Sequence, residues 1–404
     1  MSPLGAARRL WRSAMPEPLR RLAAPALNRA LQAYVRAAAR RPHGADTPAG
    51  PIKVVGYFEG SHGIAASARL AARAFEALGV PVERVDVTDA KLDWNGRLTA
   101  PVSAGAWIFH LNPPELLAAL ACLGPKQLVG PRYGYWAWEL PRAPDRWLKD
   151  AALVDEVWAP SAYTARALAG AAAPVRVVPH PLFLEDYAKV KPAARRAPFQ
   201  GVGVFDFNSS VARKNPQGAI AAWTRAFGDD LDCELTLKTQ NGVAFPEALR
   251  ALRAAAPANI RIVDEVWPYA EVQALIAGAD VLVSLHRAEG FGLTPAEAMA
   301  LATPVLATAW SGVLDFMDED CALLVPAKPV PVDDPQGIYR GQTWAEPDLA
   351  AAAAALLRLR REPDLGPRIG AAGRARVARD LSPQAWFTTL PASVKAAAMA
   401  AVRT

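Results

Sequence analysis

The sequence predicts an α/β protein built from two doubly wound, Rossmann-like domains that face each other across a cleft, with helices at the C-terminal end. Three observations predict it. Residues 52–58 (IKVVGYF) are a short apolar run followed by a glycine-rich loop. An alanine-rich helical stretch at 64–78, stopped by Gly79, and a second apolar run at 82–87 complete a parallel βαβ unit. Residues 189–198 (KVKPAARRAP) are polar and contain proline, as a linker does, and beyond them the same rhythm restarts.

The elements follow in order. The first domain, 49–188, is expected to hold further strands at 106–110, near 133–138, at 156–159 and at 175–178. In the second domain, 199–382, strands are expected at 202–207, 234–238, 260–263, 281–285 and 304–307. Such domains present their carboxyl-edge loops to the cleft, where folds of this class bind ligands. Residues 325–344 carry Pro326, Pro329, Pro331 and Pro335 and read as an irregular excursion. Helices resume at about 348, and residues 383–404 read as a C-terminal helix.

Composition narrows the function. With 52% hydrophobic and 21% charged residues, the 404-residue chain can bury a core, which excludes wholesale disorder. No apolar run reaches the roughly 20 residues of a bilayer crossing. Cys122, Cys233 and Cys321 are far apart and match neither a metal-ligand spacing nor a disulfide framework, which fits a reducing, cytoplasmic setting.

Charge is unevenly placed. Residues 1–41 hold nine arginines and one acid, Glu17, a net +8 against +6 for the whole chain, so the remainder sums to −2. The basic character therefore belongs to an N-terminal extension, 1–48, rather than to a basic face of the body, and nucleic acid is not an expected partner. Within it Leu19, Leu22, Ala23, Ala26, Leu27, Ala30, Leu31, Tyr34, Val35 and Ala38 form the stripe of an amphipathic helix, with Pro25 expected to kink or break it. Three readings stand: a helix on an anionic membrane surface through residues 1–42, one that packs on the body, or an organelle transit peptide, which is also arginine-rich and poor in acids.

The site-bearing stretch is residues 284–299, SLHRAEGFGLTPAEAM. A strand ends, two glycines form a tight loop, and a helix starts with Thr294 as its expected N-cap and Pro295 in its first turn. Helix N-termini behind glycine loops offer free N–H groups and a favourable dipole to phosphate. Glu289, at the strand end, is read as functional. Thr294-x-x-Glu297 alone reads as a capping box, in which Glu297 would serve only its helix.

EGFGLTPAEAM, with two glutamates eight residues apart, followed by ATPVLATAWSGVLDFM, closely resembles the retaining glycosyltransferases of family 4, which have the GT-B fold. FDFNSSVARKNPQGAIAAW, LTLKTQN, GYWAWELPRAP, VDEVWAPSAYTARAL and VWPYAEVQALIAGADVLVSLHRAEGFG extend the likeness over about 50–385, toward a bacterial branch that builds surface polysaccharides. The resemblance implies that Glu289 touches donor-sugar hydroxyls, with the backbone of Gly290, Phe291, Gly292 and Leu293 alongside. Glu297 would hold the ribose hydroxyls, and Lys214 would neutralise the diphosphate. Similar enzymes carry an arginine several residues before that lysine. Asn208-Ser209 stand there instead, so Arg213 or Arg287 would supply the second charge. Asp264 to Trp267 would lie beside the base, Ser311 and Gly312 would close on the phosphates, and His110 would contact the sugar. Gly60, His62 and Gly63 belong to the loop near diphosphate and acceptor, where this chain reads Gly63-Ile64-Ala65-Ala66 in place of the relatives' G-I-G-E.

Other motifs weigh less. Asp230-Leu231-Asp232 is formally D-x-D but falls in a polar turn, and Gly201-Val202-Gly203 lacks the third glycine of a dinucleotide fingerprint. The expected function is retaining, metal-independent hexosyl transfer without a cofactor. The donor would be GDP-mannose or a UDP-sugar, and the acceptor a glycan or lipid-linked saccharide of polysaccharide biosynthesis. The enzyme would be cytoplasmic, peripheral at the inner face of the cytoplasmic membrane. The alternatives are a non-catalytic nucleotide- or glycan-binding relative in an assembly complex, or another GT-B enzyme such as a phosphorylase or epimerase.

Overall fold

The structure, a computed structural model, describes residues 17–39, 51–60, 62–90, 104–124, 128–335, 337 and 339–402. Among these, β1 (Ile52–Gly56), β2 (Val82–Asp86), β3 (Ala106–Phe109), β4 (Arg132–Tyr135), β5 (Glu156–Ala159) and β6 (Val175–Val177) form one parallel sheet in the order β2-β1-β3-β4-β5-β6. The second sheet holds β7 (Phe199–Val204), β8 (Cys233–Thr239), β9 (Ile260–Asp264), β10 (Val281–Ser284), β11 (Val305–Thr308) and β12 (Leu323–Val325), in the order β12-β11-β10-β7-β8-β9. Every residue of β1, β3, β4 and β11 is buried, because helices cover both faces of such sheets. The strand order departs in opposite directions from β1 and β3, and from β7 and β10, all of them parallel. The loops behind those four strands therefore flank two crevices where ligands bind.

The sequence reading needs four corrections. Residues 325–344 are not irregular throughout: β13 (Ala327–Pro331) and β14 (Thr343–Pro347) make an antiparallel pair, with Val330 opposite the buried Trp344. Its prolines are tolerated because a two-stranded ribbon consists only of edges. The short β12 also went unforeseen. Third, α1 (Glu17–Ala39) runs through Pro25 as one helix. Fourth, the C-terminal segment is two helices, Pro383–Thr389 and Ala392–Ala401, and both return to the first domain.

Two terminal segments thus complete the first domain's core. Along α1, Leu31, Val35 and Ala39 are buried with the helix Pro113–Leu123 beneath them. Arg36 donates to both carboxylate oxygens of Asp150 at 2.8 and 3.1 Å, and Arg132 Nη1 donates to the Ala39 carbonyl at 2.9 Å. Of the predicted stripe, Leu31 and Val35 thus pack on the body, whereas Ala26, Ala30 and Tyr34 are exposed. Arginines 8, 9, 12, 40 and 41 lie outside the described residues. At the other end, Trp386, Leu390 and Val394 share a core with Ile52, Phe75 and Tyr133. Among the described residues no helix is long and apolar enough to cross a membrane.

Candidate active site

A cleft of about 1150 Å³ separates the carboxyl edges of the two sheets. His62, Ser67, Tyr135 and His180 line it from the first domain, and Lys214, Lys238, Glu289 and Glu297 from the second.

The loop behind β7 delivers the basic groups. Asp206 organises it by accepting from the Asn208 N–H, Gln240 Nε2 and Asn241 Nδ2 at 2.7–2.8 Å. Ser210 and Asn215 take left-handed conformations, φ 57° and 54°, which bracket the one-turn helix Val211–Lys214. Asn215 makes that conformation affordable: Oδ1 accepts from the Gly218 N–H at 3.1 Å, and Nδ2 donates to the Leu285 carbonyl at 2.8 Å. The second bond ties the loop to the end of β10, across the reversal point.

That tie brings Lys214 and Arg213 to Glu289. Lys214 Nζ donates to Glu289 Oε1 at 2.5 Å, and Arg213 Nη1 lies 3.3 Å from the same oxygen. Arg213 is buried, donates to the carbonyls of Ala288 and Ser209, and stands 3.9 Å from Glu139 of the first domain. Burial by itself would raise the Glu289 carboxyl, but Lys214 and Arg213 outweigh it and hold it at about 2. The carboxylate is ionised at neutral pH, so it can only accept hydrogen bonds.

Arg287 does not join them. It forms a two-pronged pair with Glu346 of β14 at 2.7 and 3.2 Å, donates to the Ala212 carbonyl and lies over Trp344. Of the two arginines the resemblance offered, Arg213 is the one beside Glu289.

Glu297 corrects the capping-box reading. The helix spans Leu293–Ala300, and its N-cap is Gly292 at φ 96°, not Thr294. Glycine suits the position doubly, since a Cβ there would lie 2.5 Å from Val313 Cγ1. The cap falls two residues before Thr294, so Glu297 is too deep in the helix to serve it. Its carboxylate instead accepts a hydrogen bond from the Tyr269 hydroxyl. Burial, partly offset by that bond, raises the Glu297 carboxyl to about 7. The two carboxyl groups of the motif thus have opposite electrostatics: one pinned ionised, one poised near neutrality.

Ser311 and Gly312 buttress the site from behind. Ser311 Oγ accepts from the Glu289 N–H at 2.8 Å, and the Gly312 N–H donates to the Glu289 carbonyl at 2.9 Å. A Cβ on Gly312 would meet the Gly290 carbonyl oxygen at 2.2 Å. The first domain holds the same loop from the other side, where Ser161 Oγ and Thr164 Oγ1 donate to the Gly290 carbonyl at 2.5 and 3.2 Å.

His110 is 2% exposed, beneath Ser67 and Tyr135, with Nδ1 2.8 Å from Ser67 Oγ. Burial and the nearby His180 lower it to about 3. His62 is the N-cap of α2 (Gly63–Ala77), its Nδ1 accepting from the Ala65 N–H at 3.3 Å. Gly60, Gly63 and Trp267 line the cleft, Trp267 beneath the Lys238 ammonium at 5.0 Å. The Asp230–Asp232 turn is exposed and bonds to itself, Asp232 N–H to Asp230 Oδ1 at 2.9 Å. Sequence reasoning missed Glu139, His180, Lys238 and Tyr269 on the cleft wall. Each is a single residue without a diagnostic spacing, although Glu139, Lys238 and Tyr269 fall in the segments that carry the resemblance.

Comparison with known proteins follows this geometry. Residues 207–340 match the family model described as "Glycosyl transferases group 1". No curated protein matches the chain. Sucrose-phosphate synthase of Thermosynechococcus elongatus shares 17% identity and a TM-score of 0.61, over 84% of this chain and 96% of that one. HepE of Anabaena, solved in complex with UDP-glucose, shares 13% identity and a TM-score of 0.59, over 86% and 99%. TarM shares 13% identity and a TM-score of 0.52 over 70% of this chain, which spans 53% of TarM's length. At such identities the likeness is one of fold. The chain has the two-domain GT-B fold, and its second domain carries a match to glycosyl transferases group 1 across the loops that hold Lys214, Glu289 and Glu297.

Proposed function

We propose that the protein is a retaining glycosyltransferase of the family 4 type, moving a hexose from a nucleoside-diphosphate sugar to a glycan or lipid-linked acceptor in polysaccharide biosynthesis. GDP-mannose or a UDP-sugar is the proposed donor. The observation that carries the reading is the convergence of Lys214, Arg213, Glu289 and Glu297 at the reversal point of the second sheet.

The chemistry follows from those groups. Loss of the diphosphate is the difficult charge separation. Lys214, its Arg213 neighbour and the free N–H groups at the start of helix 293–300 stabilise the leaving charge as it develops. Without ligand, Lys214 is paired with Glu289. Donor binding exchanges that partner for phosphate and frees Glu289 to accept from sugar hydroxyls. Glu297 accepts from the ribose, and the acceptor hydroxyl attacks from the face that the diphosphate leaves, the sugar–phosphate C–O bond breaking and the hydroxyl proton passing to the departing phosphate. The charge is handled by basic side chains and a helix end, so we propose that no metal or cofactor is needed.

The test is a thermal-shift panel with UDP, GDP, ADP and dTDP, each with and without EDTA. A nucleotide at 100 times its Kd adds about 2.7 kcal/mol, which is readily measured. Stabilisation by one nucleotide regardless of EDTA supports the reading; silence from all four overturns it. With the donor so found, Lys214→Ala and Glu289→Ala should each lower turnover by at least about a hundred-fold. Near-normal turnover in both would sink the assignment.

For the membrane, we propose attraction by charge rather than by insertion, since Leu31 and Val35, the large aliphatic residues in the last part of the stripe, are buried in the protein. Deleting residues 1–16, which hold Arg8, Arg9 and Arg12, should weaken binding to anionic vesicles in a salt-dependent way. Sedimentation with vesicles measures it, and unchanged binding removes the membrane from the proposal.

A further inference from the structure

The first-domain floor of the cleft holds a chain of side chains that the mechanism above leaves unused. Ser67 Oγ is 2.8 Å from His110 Nδ1, and the His110 ring stacks on Tyr135 at 4.6 Å between centroids. The Tyr135 hydroxyl is in turn 3.2 Å from Nδ1 of His180. His180 follows β6 and lines the cleft, only 7% exposed. Its ring meets Phe291 edge-on at 4.8 Å, and Phe291 lies in the glycine loop two residues after Glu289. The imidazole is thus held at Nδ1 by one domain and against Phe291 by the other, while its Nε2 bonds to no described residue.

The chemistry of that free nitrogen selects its ligand. Burial lowers the His180 imidazole to about 4, so it is neutral at physiological pH. A neutral ring nitrogen among aromatic rings suits a hydroxyl group better than a phosphate, and the basic groups stand on the opposite wall beside Glu289. The Phe291 ring that it meets belongs to the loop beside which the donor sugar is proposed to lie.

We propose that His180 is a sugar-recognition residue whose Nε2 hydrogen-bonds a hydroxyl of the hexose carried by the nucleoside diphosphate, with Tyr135 fixing the imidazole for that contact. The inference rests on the proposed function, and it assigns sugar selection in part to the first domain. Tyr135 is a positioning residue; His180 touches the substrate.

The test compares each bare diphosphate with its sugar ester by isothermal titration calorimetry on the full chain: UDP with UDP-glucose, GDP with GDP-mannose, ADP with ADP-glucose, dTDP with dTDP-glucose. His180→Asn places an amide where Nδ1 was and removes Nε2; His180→Gln places one near Nε2. For the pair that wild type binds, His180→Asn should hold the bare diphosphate as tightly as wild type and the sugar ester about ten-fold more weakly. His180→Gln should recover much of that loss. Tyr135→Phe, which keeps the imidazole but frees it, should show a smaller loss confined to the sugar ester. Equal affinity of His180→Asn and wild type for both ligands overturns the proposal, as does equal weakening of both, which marks a structural role. If wild type binds none of the pairs, the proposed function falls and this inference with it.

Discussion

At the scale of single residues, the two glutamates of one motif do opposite work because their neighbours differ. Glu289 faces two cations, and Glu297 faces a phenol in a buried setting. The second has a measurable consequence for stability. A carboxyl whose folded-state value lies above its unfolded value binds its proton more tightly when folded. Its contribution is therefore intact below the unfolded value and is lost as pH rises toward the folded one. For Glu297 that window runs from roughly 4.3 in the unfolded chain up to about 7. At about 1.4 kcal/mol per unit, the ionised buried carboxyl costs on the order of 3 kcal/mol. Glu297→Gln keeps an acceptor for Tyr269 and cannot ionise. It should melt above wild type near pH 8, with the gap closing toward pH 4, and should bind nucleotide more weakly. A melting-temperature series against pH checks the first part, and a constant gap would refute it.

At the scale of elements, the glycine loop between β10 and helix 293–300 is held by its neighbours on both sides. Ser311 and Gly312 bond to the Glu289 backbone, while Ser161 and Thr164 bond to the Gly290 carbonyl from the first domain. These contacts fix the loop before any ligand arrives, which is what preorganisation of a charge-stabilising site requires. Ser311 takes φ 69° to make its bond, a strain carried by a non-glycine residue beside the site. Gly312→Ala would set a Cβ 2.2 Å from the Gly290 oxygen. That oxygen belongs to rigid backbone, so the loop must shift. We expect a loss of about 1–3 kcal/mol of stability together with weakened donor binding. Chemical denaturation and nucleotide titration measure the two, and retention of both would show that the loop yields freely.

At the scale of the whole molecule, the first domain is finished by both ends of the chain. Its core includes Leu31 and Val35 of α1 and Trp386, Leu390 and Val394 from beyond the second domain. Trp386 is 1% exposed and packs edge-on against Phe75 at 4.9 Å. Trp386→Ala should cost about 3–5 kcal/mol. The first domain should suffer most, although the substitution lies after the second domain in sequence. Hydrogen exchange resolved by segment checks this: protection should fall in β1 and α2 before β8 or β10. Loss confined to the second sheet would contradict the packing described here.

The sequence by itself determined the α/β class, the two parallel sheets and most of their strand rhythm. These depend on local pattern: apolar runs of strand length, glycines at strand ends, and helices between them. Glu289 was legible for the same reason, at a strand end among glycines, whereas Lys214 and Glu297 entered as site candidates only through the family resemblance. Only the tertiary structure decided what those groups touch. Tyr269 reaches Glu297 from 28 positions away, Glu346 takes Arg287 from 59, and Lys214 meets Glu289 across 75. It also decided that Leu31 and Val35 of the amphipathic stripe cover protein while Tyr34 is exposed, and that Ser311 supports the loop behind Glu289. Propensity and periodicity act over a few neighbouring residues. The choice among several arginines, or between a helix cap and a distant phenol, is made by how far-apart elements pack.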